Sequence, residues 1–348
     1  MKNKSVNFDS IISFENATKM RHLLYGRLLS QAVVVAAELE IPKLLTNSAM
    51  TVAEISEHTK SDPYALKHLL RSLGVFGIFQ EDELGYFSLT PLGTMLCPDT
   101  PGTALYTALL VGGEVGNAWD SLSQTVRTRQ PAFNYVHGTD FFSYMEADHS
   151  FREVFDASQN AGIHFELEAL LASIDFGEFN SIVDVGGGDG RLLEAILCGY
   201  PDVTGILFDL DSVVSSARNR LLESPVSNRI EFISGDFGES IPDGGNLYLL
   251  RHIVHDWPDA RCVDILRRCG EAMAPDGRIL IIDRIADSQS GDNQMTALMT
   301  LYMLTVMEGR ERTSEEFAEL IHIAGLTVEN ILPLAGDTTA IIARPHTR

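Results

Sequence analysis

The glycine-rich segment DVGGGDG, residues 184–190, constrains the fold more than any other part of this 348-residue chain. It follows the apolar run SIV and precedes RLLEAIL, whose apolar residues recur at helical spacing. Glycines between a buried strand and a helix let the backbone turn tightly and let a ligand approach it closely. The segment therefore predicts a ligand-binding loop at the carboxyl end of a strand.

The segments that follow the loop extend this prediction to a whole sheet. Apolar runs such as VTGILFDL, RIEFISGDF, GNLYLLRHIV and GRILIIDRI alternate with helical patterns. Two last runs, LTVENILPL and TTAIIARP, are typical of a hairpin at the sheet edge. The predicted fold class is α/β, with a Rossmann-like, mostly parallel sheet and a C-terminal antiparallel hairpin.

The N-terminal region is mostly helical. A capping box at Thr51 and Glu54 starts one helix, and Pro63, with Ser61 as the expected cap, starts the next. The run QEDELGYFSLT then predicts a hairpin. Three helices followed by a hairpin indicate a winged helix-turn-helix.

A winged helix can bind DNA, but the charge argues against that use. Residues 1–100 hold nine Lys and Arg against eleven Asp and Glu, and the whole chain has 26 against 48, a net charge of −22. Such an acidic surface repels phosphate backbones and anionic lipids. We therefore expect no nucleic-acid or membrane partner, and a packing or dimerisation role for this region.

The glycine loop lacks the pattern of a dinucleotide site. Three positions after Gly188, where the fingerprint needs a glycine, the chain has Arg191. Asp184 and Asp189 flank the loop and would repel a pyrophosphate, whereas they suit a cation such as S-adenosylmethionine. Asp209 ends the next strand, 23 residues after Gly186, where a ribose would lie.

A third acid, Asp236, ends the following strand and is placed for an adenine amino group, with Phe237 against the base. An aspartate at a strand end is often only a helix cap. Three aspartates in order at the ends of successive strands instead favour a site for a nucleoside. Gly186 and Gly188, in the loop after the first strand, are expected to be part of this site.

Five motifs of the chain point to a known family: VDVGGGDG, FDL, GDF, HDWPD and GRERT. Through them the chain resembles the plant-type O-methyltransferases and their bacterial relatives that act on phenolic and polyketide natural products. The resemblance covers nearly the whole chain. It implies a class I methyltransferase sheet, an N-terminal winged-helix dimerisation domain and a homodimer. It also implies S-adenosylmethionine as cofactor, S-adenosylhomocysteine as product, no metal, and an aromatic hydroxyl as acceptor.

The resemblance also implies roles for residues. In the family the histidine of the HDWPD motif is the general base, which is His255 here. Two acids flank it: Asp283, where plant members commonly have Glu, and Glu311 in GRERT. Arg251 occupies the place of a family lysine near the cofactor, and Trp257 is expected beside the adenine. His252 is expected to be structural, and Asp256 to be a turn or cap residue.

The helix NQMTALMTLYMLTVMEG carries methionines at four-residue intervals. Such a stripe is either core packing or an adaptable pocket wall. In family members the equivalent helix faces the acceptor, which implies a role for Met299, Tyr302, Met303 and Val306.

The expected organisation is a dimerisation domain at residues 1–100, a helical connector at 101–165 that contributes to the acceptor pocket, and a catalytic domain at 166–348. The apolar run SQAVVVAAELEI is expected at the dimer interface. Four cysteines without metal spacing and no secretory signal favour a cytoplasmic protein. The alternatives are N- or C-methylation, a relative that binds the cofactor without transferring methyl, and a ligand-sensing DNA-binding regulator.

Overall fold

The computed structural model describes residues 14–287, 294–334 and 338–346. The chain divides into two compact units, residues 1–113 and 114–348. None of the described helices is both long enough and apolar enough to span a membrane.

The first unit contains five helices and three short strands in its described part. The helices are α1 (Phe14–Glu38), α2 (Ile41–Leu44), α3 (Val52–Thr59), α4 (Pro63–Val75) and α5 (Leu105–Gly112). The strands are β1 (Met50–Thr51), β2 (Phe79–Glu81) and β3 (Tyr86–Leu89), paired antiparallel in the order β1-β3-β2. This is the predicted order of helices followed by a winged hairpin.

Local signals explain most of these helix starts. Thr51 and Glu54 form the predicted capping box, in which the Thr51 hydroxyl accepts from the Glu54 amide and the Glu54 carboxylate accepts from the Thr51 amide. The cap of α4 was assigned to the wrong residue. Asp62, directly before Pro63, accepts from the amide of Ala65 at 2.8 Å, so it leaves no capping role for Ser61.

Helix α1 buries part of the apolar run that was expected at the dimer interface. Much of SQAVVVAAELEI packs inside the unit, with Val34, Ala36 and Ala37 buried. The exposed apolar side chains lie nearer the start of the helix: Phe14, Met20, Leu23, Leu24, Tyr25 and Leu28 are each more than half exposed. Exposed apolar patches of this kind mark interaction surfaces.

The second unit carries the large sheet. Its strands are β4 (Ser181–Val185), β5 (Thr204–Asp209), β6 (Ile230–Ser234), β7 (Leu247–Arg251), β8 (Arg278–Arg284), β9 (Leu326–Pro333) and β10 (Thr338–Pro345). Its helices are α6 (Glu114–Asp120), α7 (Leu122–Thr128), α8 (Ala132–His137), α9 (Phe141–Ala147), α10 (His149–Ser173), α11 (Arg191–Gly199), α12 (Asp211–Leu221), α13 (Asp259–Ala272), α14 (Gln294–Val306) and α15 (Ser314–Ile323). The boundary predicted between residues 165 and 166 falls inside α10.

The strand order is β6-β5-β4-β7-β8-β10-β9. The first five strands in this order are parallel, and β10 pairs antiparallel with both β8 and β9. The chain therefore runs outward from β4 in one direction and outward from β7 in the other. The carboxyl ends of β4 and β7 meet where the order reverses, which is where open α/β sheets bind ligands.

The core explains why the parallel strands are apolar throughout. Neighbouring residues of one strand bury into opposite clusters, as Ile182 and Val183 do in β4. Tyr248 and Leu249 alternate in the same way in β7. Both faces of the sheet are covered, as parallel sheets require.

Candidate active site

The glycine loop connects β4 to α11. Gly186, Gly188 and Gly190 have φ values of +68°, +57° and +80°, a region that side chains with a Cβ rarely adopt. The amide of Gly186 donates to the Phe208 carbonyl at 2.8 Å, which ties the loop to β5. A Cβ on Gly186 would lie 2.5 Å from Cδ1 of Ile253, the second residue after β7. The loop after β4 thus packs against the segment after β7.

Asp184 lies at the end of β4 and is almost completely buried. Its Oδ2 atom accepts no hydrogen bond from the residues that the structure describes. Burial raises the pKa of this carboxyl to about 7; Arg251 opposes the shift, while Asp209 and Asp189 add to it. A buried carboxyl whose neighbouring acids and burial outweigh its one nearby arginine is the observation that fits a positively charged ligand at the loop.

Asp209 holds the glycine loop in place. Its Oδ2 atom accepts from the amide of Gly188 at 2.9 Å, and its Oδ1 atom accepts from the amide of Leu210 at 2.7 Å. Burial raises the pKa of Asp209, and these two amides lower it. Each oxygen keeps a second lone pair for a hydroxyl donor.

Asp236 forms a local turn. It accepts from the Gly238 amide at 2.6 Å and lies 3.6 Å from the Arg261 guanidinium. Its carboxylate is about half exposed. Both contacts use Oδ1 of Asp236, so the turn does not involve the second carboxylate oxygen.

Aromatic rings gather around Trp257. Phe237 meets it edge-on, with ring centroids 5.9 Å apart, and Phe142 stacks on it at 5.2 Å with an interplanar angle of 10°. Arg261 lies 4.9 Å from the same ring. Trp257 Nε1 has no hydrogen-bond partner among the described residues. The sequence predicted Phe237 and Trp257, but neither Phe142 nor Arg261.

His255 lies in a single 3₁₀ turn, Val254–Asp256, that follows β7, and it is buried. Its Nδ1 atom lies 3.3 Å from Oε1 of Glu311 and 3.6 Å from Oδ1 of Asp283. Its Nε2 atom lies 3.4 Å from Oδ1 of Asp256. The structure therefore brings together the three residues expected for acid–base chemistry, and it adds Asp256 on the opposite side of the ring.

The acids set the charge of this imidazole. Burial lowers the pKa of His255, but Asp283, Asp256 and Glu311 outweigh it and raise the pKa to about 9. Burial raises the pKa of Asp256 to about 7; His255 opposes this shift, and Asp283 and Glu311 add to it. Asp256 thus lies in the turn, as expected, and its carboxylate also faces the ring of His255.

Arg251 is held by a partner that the sequence did not indicate. Its Nε donates to Oε1 of Glu166, on α10, at 2.6 Å. Burial raises the pKa of Glu166, but His252 and Arg251 outweigh it and lower the pKa to about 2. His252 also lies 3.5 Å from Asp283 through its Nδ1 atom. Glu166 is 85 residues from Arg251 in sequence, so no local pattern could have identified it.

Two residues of the GRERT segment fix the turn that carries His255. The buried Arg312 donates to the carbonyls of Val254 at 2.8 Å and Trp257 at 2.7 Å. Gly309 packs so closely that a Cβ there would lie 1.9 Å from the carbonyl oxygen of His255. Both residues were in a quoted motif, but only their contacts show that they position the turn.

The side chains of helix α14 become more buried toward its C-terminal end. Met303 and Val306 are buried, Met299 and Tyr302 are half-buried, and Met295 is exposed. Burial raises the pKa of the Tyr302 hydroxyl, and the charge of Asp256 adds to the shift. The helix therefore places Tyr302 within electrostatic range of the carboxylate that faces His255.

The strand order, the inserted hairpin and a glycine loop beside the buried Asp184, whose Oδ2 has no hydrogen-bond partner among the described residues, define the chain as a class I methyltransferase fold. Residues 119–327 match the family model of the O-methyltransferase domain, and residues 21–99 match that of the O-methyltransferase dimerisation domain. The chain belongs to this O-methyltransferase family.

Individual relatives agree with this assignment. O-methyltransferase SfmM3 from Streptomyces lavendulae is 41% identical over 330 residues, which cover 93% of this chain and 99% of that protein. The structure of the mitomycin 7-O-methyltransferase MmcR matches with a TM-score of 0.90 and 33% identity, covering 95% of this chain and 98% of that one. The O-methyltransferase NcsB1 from neocarzinostatin biosynthesis, in complex with S-adenosylmethionine and 2-hydroxy-5-methyl naphthoic acid, matches with a TM-score of 0.80 and 31% identity, covering 91% and 96%. The predicted fold class and family are confirmed.

Proposed function

We propose that this protein transfers the methyl group of S-adenosylmethionine to a hydroxyl of an aromatic small molecule, with His255 as the general base. One observation carries the proposal: His255 has acids against Nδ1 and places Nε2 on the other side, 3.4 Å from Asp256, within the domain that holds the glycine loop. An imidazole held in this way can accept a phenolic proton on Nε2.

The cofactor pocket consists of the residues after β4, β5 and β6. We assign Asp184, Gly186 and Gly188 to the methionine portion, and Asp209 to the ribose. The unpaired oxygen of Asp184 and the tight packing at Gly186 support this assignment. When bound, S-adenosylmethionine supplies an electrophilic methyl group on a sulfonium.

The rest of the pocket is aromatic and charged. Asp236, Phe237 and Trp257 are assigned to the adenine, and Arg251 supports the pocket through its pair with Glu166. The relative NcsB1 binds S-adenosylmethionine, which supports the same cofactor here. Methyl transfer by proximity and base catalysis needs no metal, so none is included in the proposed reaction.

His255 must be neutral to act as a base. Its pKa of about 9 means that the imidazole is protonated at neutral pH in the protein alone. A cation in the neighbouring pocket favours the neutral ring, because like charges repel. Asp283 and Glu311 then stabilise the imidazolium that forms when the acceptor hydroxyl loses its proton.

The acceptor wall is assigned to α14. Met299, Tyr302, Met303 and Val306 form one stretch of that helix, and the position of Tyr302 near Asp256 supports the assignment. Thioethers adapt to flat rings of different outline. The acceptor's identity and the position methylated depend on the shape of this wall.

We also propose that two copies of the chain pair through the first unit. The match to a dimerisation domain and the exposed apolar side chains of α1 support a homodimer. In this assignment residues 1–100 provide the pairing, residues 101–165 contribute to the acceptor pocket, and residues 166–348 carry the cofactor and the base. Such an enzyme of secondary metabolism has no need of nucleic acid or membrane, and we assign it to the cytoplasm.

A product assay tests the function. The purified protein is incubated with S-adenosylmethionine and a panel of phenols, and mass spectrometry looks for a methyl gain that requires a free hydroxyl. Matched anilines in the panel separate oxygen from nitrogen acceptors. If the protein binds the cofactor but methylates none of the phenols in the panel, the proposal is contradicted.

One relative favours a second candidate. A phenazine-1-carboxylate N-methyltransferase from Pseudomonas aeruginosa is 32% identical over 335 residues. A ring nitrogen with a free lone pair needs no base. His255→Ala therefore separates the two reactions, because only hydroxyl methylation should depend on the imidazole at neutral pH.

A further inference from the structure

Two imidazoles share one buried carboxylate beside the proposed base. Oδ1 of Asp283 lies 3.5 Å from Nδ1 of His252 and 3.6 Å from Nδ1 of His255. Ligating atoms of all three residues lie within 4.8 Å of one another. Oε1 of Glu311 lies 3.3 Å from Nδ1 of His255, next to this group of three.

These atoms lack the hydrogen bonds that buried polar groups normally have. Asp283 is completely buried, and neither of its oxygens accepts a hydrogen bond from a described residue. Nδ1 of His252 also has no hydrogen-bond partner among the described residues. These atoms come from β8 and from the segment after β7.

The spacing fits a transition metal. Four ligands at the bond lengths of zinc, placed at the corners of a tetrahedron, are separated by about 3.3 Å. The nitrogen–oxygen separations of 3.3–3.6 Å are close to this value. Two imidazoles with carboxylates favour zinc and its neighbours, whereas magnesium prefers oxygen ligands alone.

The charge also fits. The charged groups that face the two rings are the carboxylates of Glu166, Asp256, Asp283 and Glu311 and the guanidiniums of Arg251 and Arg284. Arg312 pairs with Asp259 and contributes no net charge. With both imidazoles neutral and all four carboxylates ionised, two positive and four negative charges leave 2 − 4 = −2. A divalent cation compensates this charge as well as two protons do.

From this geometry we infer that His252, His255 and Asp283 form an inhibitory Zn²⁺ site on the Nδ1 side of the proposed base, next to Glu311. The metal takes the lone pair of Nδ1 of His255 and displaces the proton there. The one proton left on the ring then stays on Nε2, so Nε2 has no lone pair to accept the acceptor's proton. Zn²⁺ therefore stops the base without occupying the place of either substrate.

Binding is measured first, without any acceptor, so the result does not depend on the proposed function. The metal-free protein is titrated with Zn²⁺ by calorimetry in two buffers of different ionisation enthalpy, and with Co²⁺ by visible absorption. We expect one high-affinity ion per chain, the absorption of four-coordinate Co²⁺, and proton release on binding. Absence of a high-affinity ion in the wild type would overturn the inference.

Matched variants locate the ion. His252→Gln removes one ligand and should weaken binding by more than about tenfold. His322→Gln makes the same change in the other stacked histidine pair, His322 and His346, and should leave the affinity unchanged. Asp283→Asn, which preserves side-chain size, should also weaken binding, and thermal melts establish that each variant is folded. High affinity retained in folded His252→Gln, or lost in His322→Gln, would place the ion elsewhere and overturn the inference.

Kinetics test the consequence. Each variant is compared with its own metal-free activity on an acceptor from the phenol panel. Zn²⁺ should lower kcat while leaving KM for both substrates unchanged, and it should inhibit more strongly at pH 8 than at pH 6.5, because protons compete for the same nitrogens. His252→Gln should need a higher Zn²⁺ concentration for the same inhibition. Inhibition that instead raises KM for the acceptor would contradict the mechanism.

Discussion

The two halves of the site are built differently. The proposed cofactor half comes from the loop ends of three consecutive strands, β4, β5 and β6, within about fifty residues of sequence. The proposed base half collects His255 after β7, Asp283 at the end of β8 and Glu311 beyond α14. A pocket made from consecutive strand ends can be recognised from spacing, whereas a site assembled across the sheet depends on contacts that spacing does not contain.

The first test of this contrast blocks the proposed cofactor pocket and leaves the base residues unchanged. Gly186→Val should abolish S-adenosylmethionine binding, because Gly186 has a φ of +68° and a Cβ there lies 2.5 Å from Ile253. Calorimetry on the folded variant measures the loss, and NAD should bind to neither form. Gly199→Val is the matched control, since Gly199 has open space around its Cβ position. Undiminished binding by folded Gly186→Val would remove this loop from the pocket.

The second change disables the base half alone. His255→Ala should keep cofactor affinity and lower turnover by about 10²–10⁴, the usual contribution of a general base. The loss should shrink as the assay pH approaches the acceptor's own pKa, since solvent then supplies the phenolate. Steady-state kinetics with a phenol acceptor measure it. Near wild-type turnover at neutral pH would point to a nitrogen or carbon acceptor.

The third change tests whether turnover depends on the exact position of the turn that carries His255. Gly309→Ala places a Cβ 1.9 Å from the carbonyl oxygen of His255, so the turn must move. A displacement of about 1 Å at a catalytic group can cost about 10²-fold in rate. We expect kcat to fall by about that factor, with cofactor affinity unchanged. A variant in which cofactor affinity falls in step with kcat would show that the two halves are not separable.

The smallest effect is a shift in pH dependence. The base is active when neutral, so kcat/KM should rise with pH up to the pKa of His255, about 9 in the free protein. Asp283 raises this pKa. Asp283→Asn should therefore move the rise to lower pH, at a smaller cost in turnover than removal of the imidazole, and Glu311→Gln should behave similarly. A pH–rate profile checks this, and a shift to higher pH would contradict the charge assignment.

The fold could be predicted because its signals are local. The apolar strands, the glycine loop and the Thr51 capping box each depend on neighbouring residues, and all appear where the sequence placed them. Two local expectations differ from the structure. The cap of α4 belongs to Asp62, and the exposed apolar surface of α1 lies nearer its N-terminus than expected, because packing inside the first unit buries the more apolar end.

The sequence by itself determined the order of strands and helices and, through its motifs, the family, because hydrophobic period and glycine placement depend on neighbouring residues along the chain. Tertiary structure alone decided which groups surround His255, the proposed base. Glu166 holds Arg251 from 85 residues away, Arg312 holds the turn of His255, and Asp256 faces Nε2. Burial then sets the charge of each, because a carboxylate removed from water takes its pKa from the few groups that still touch it.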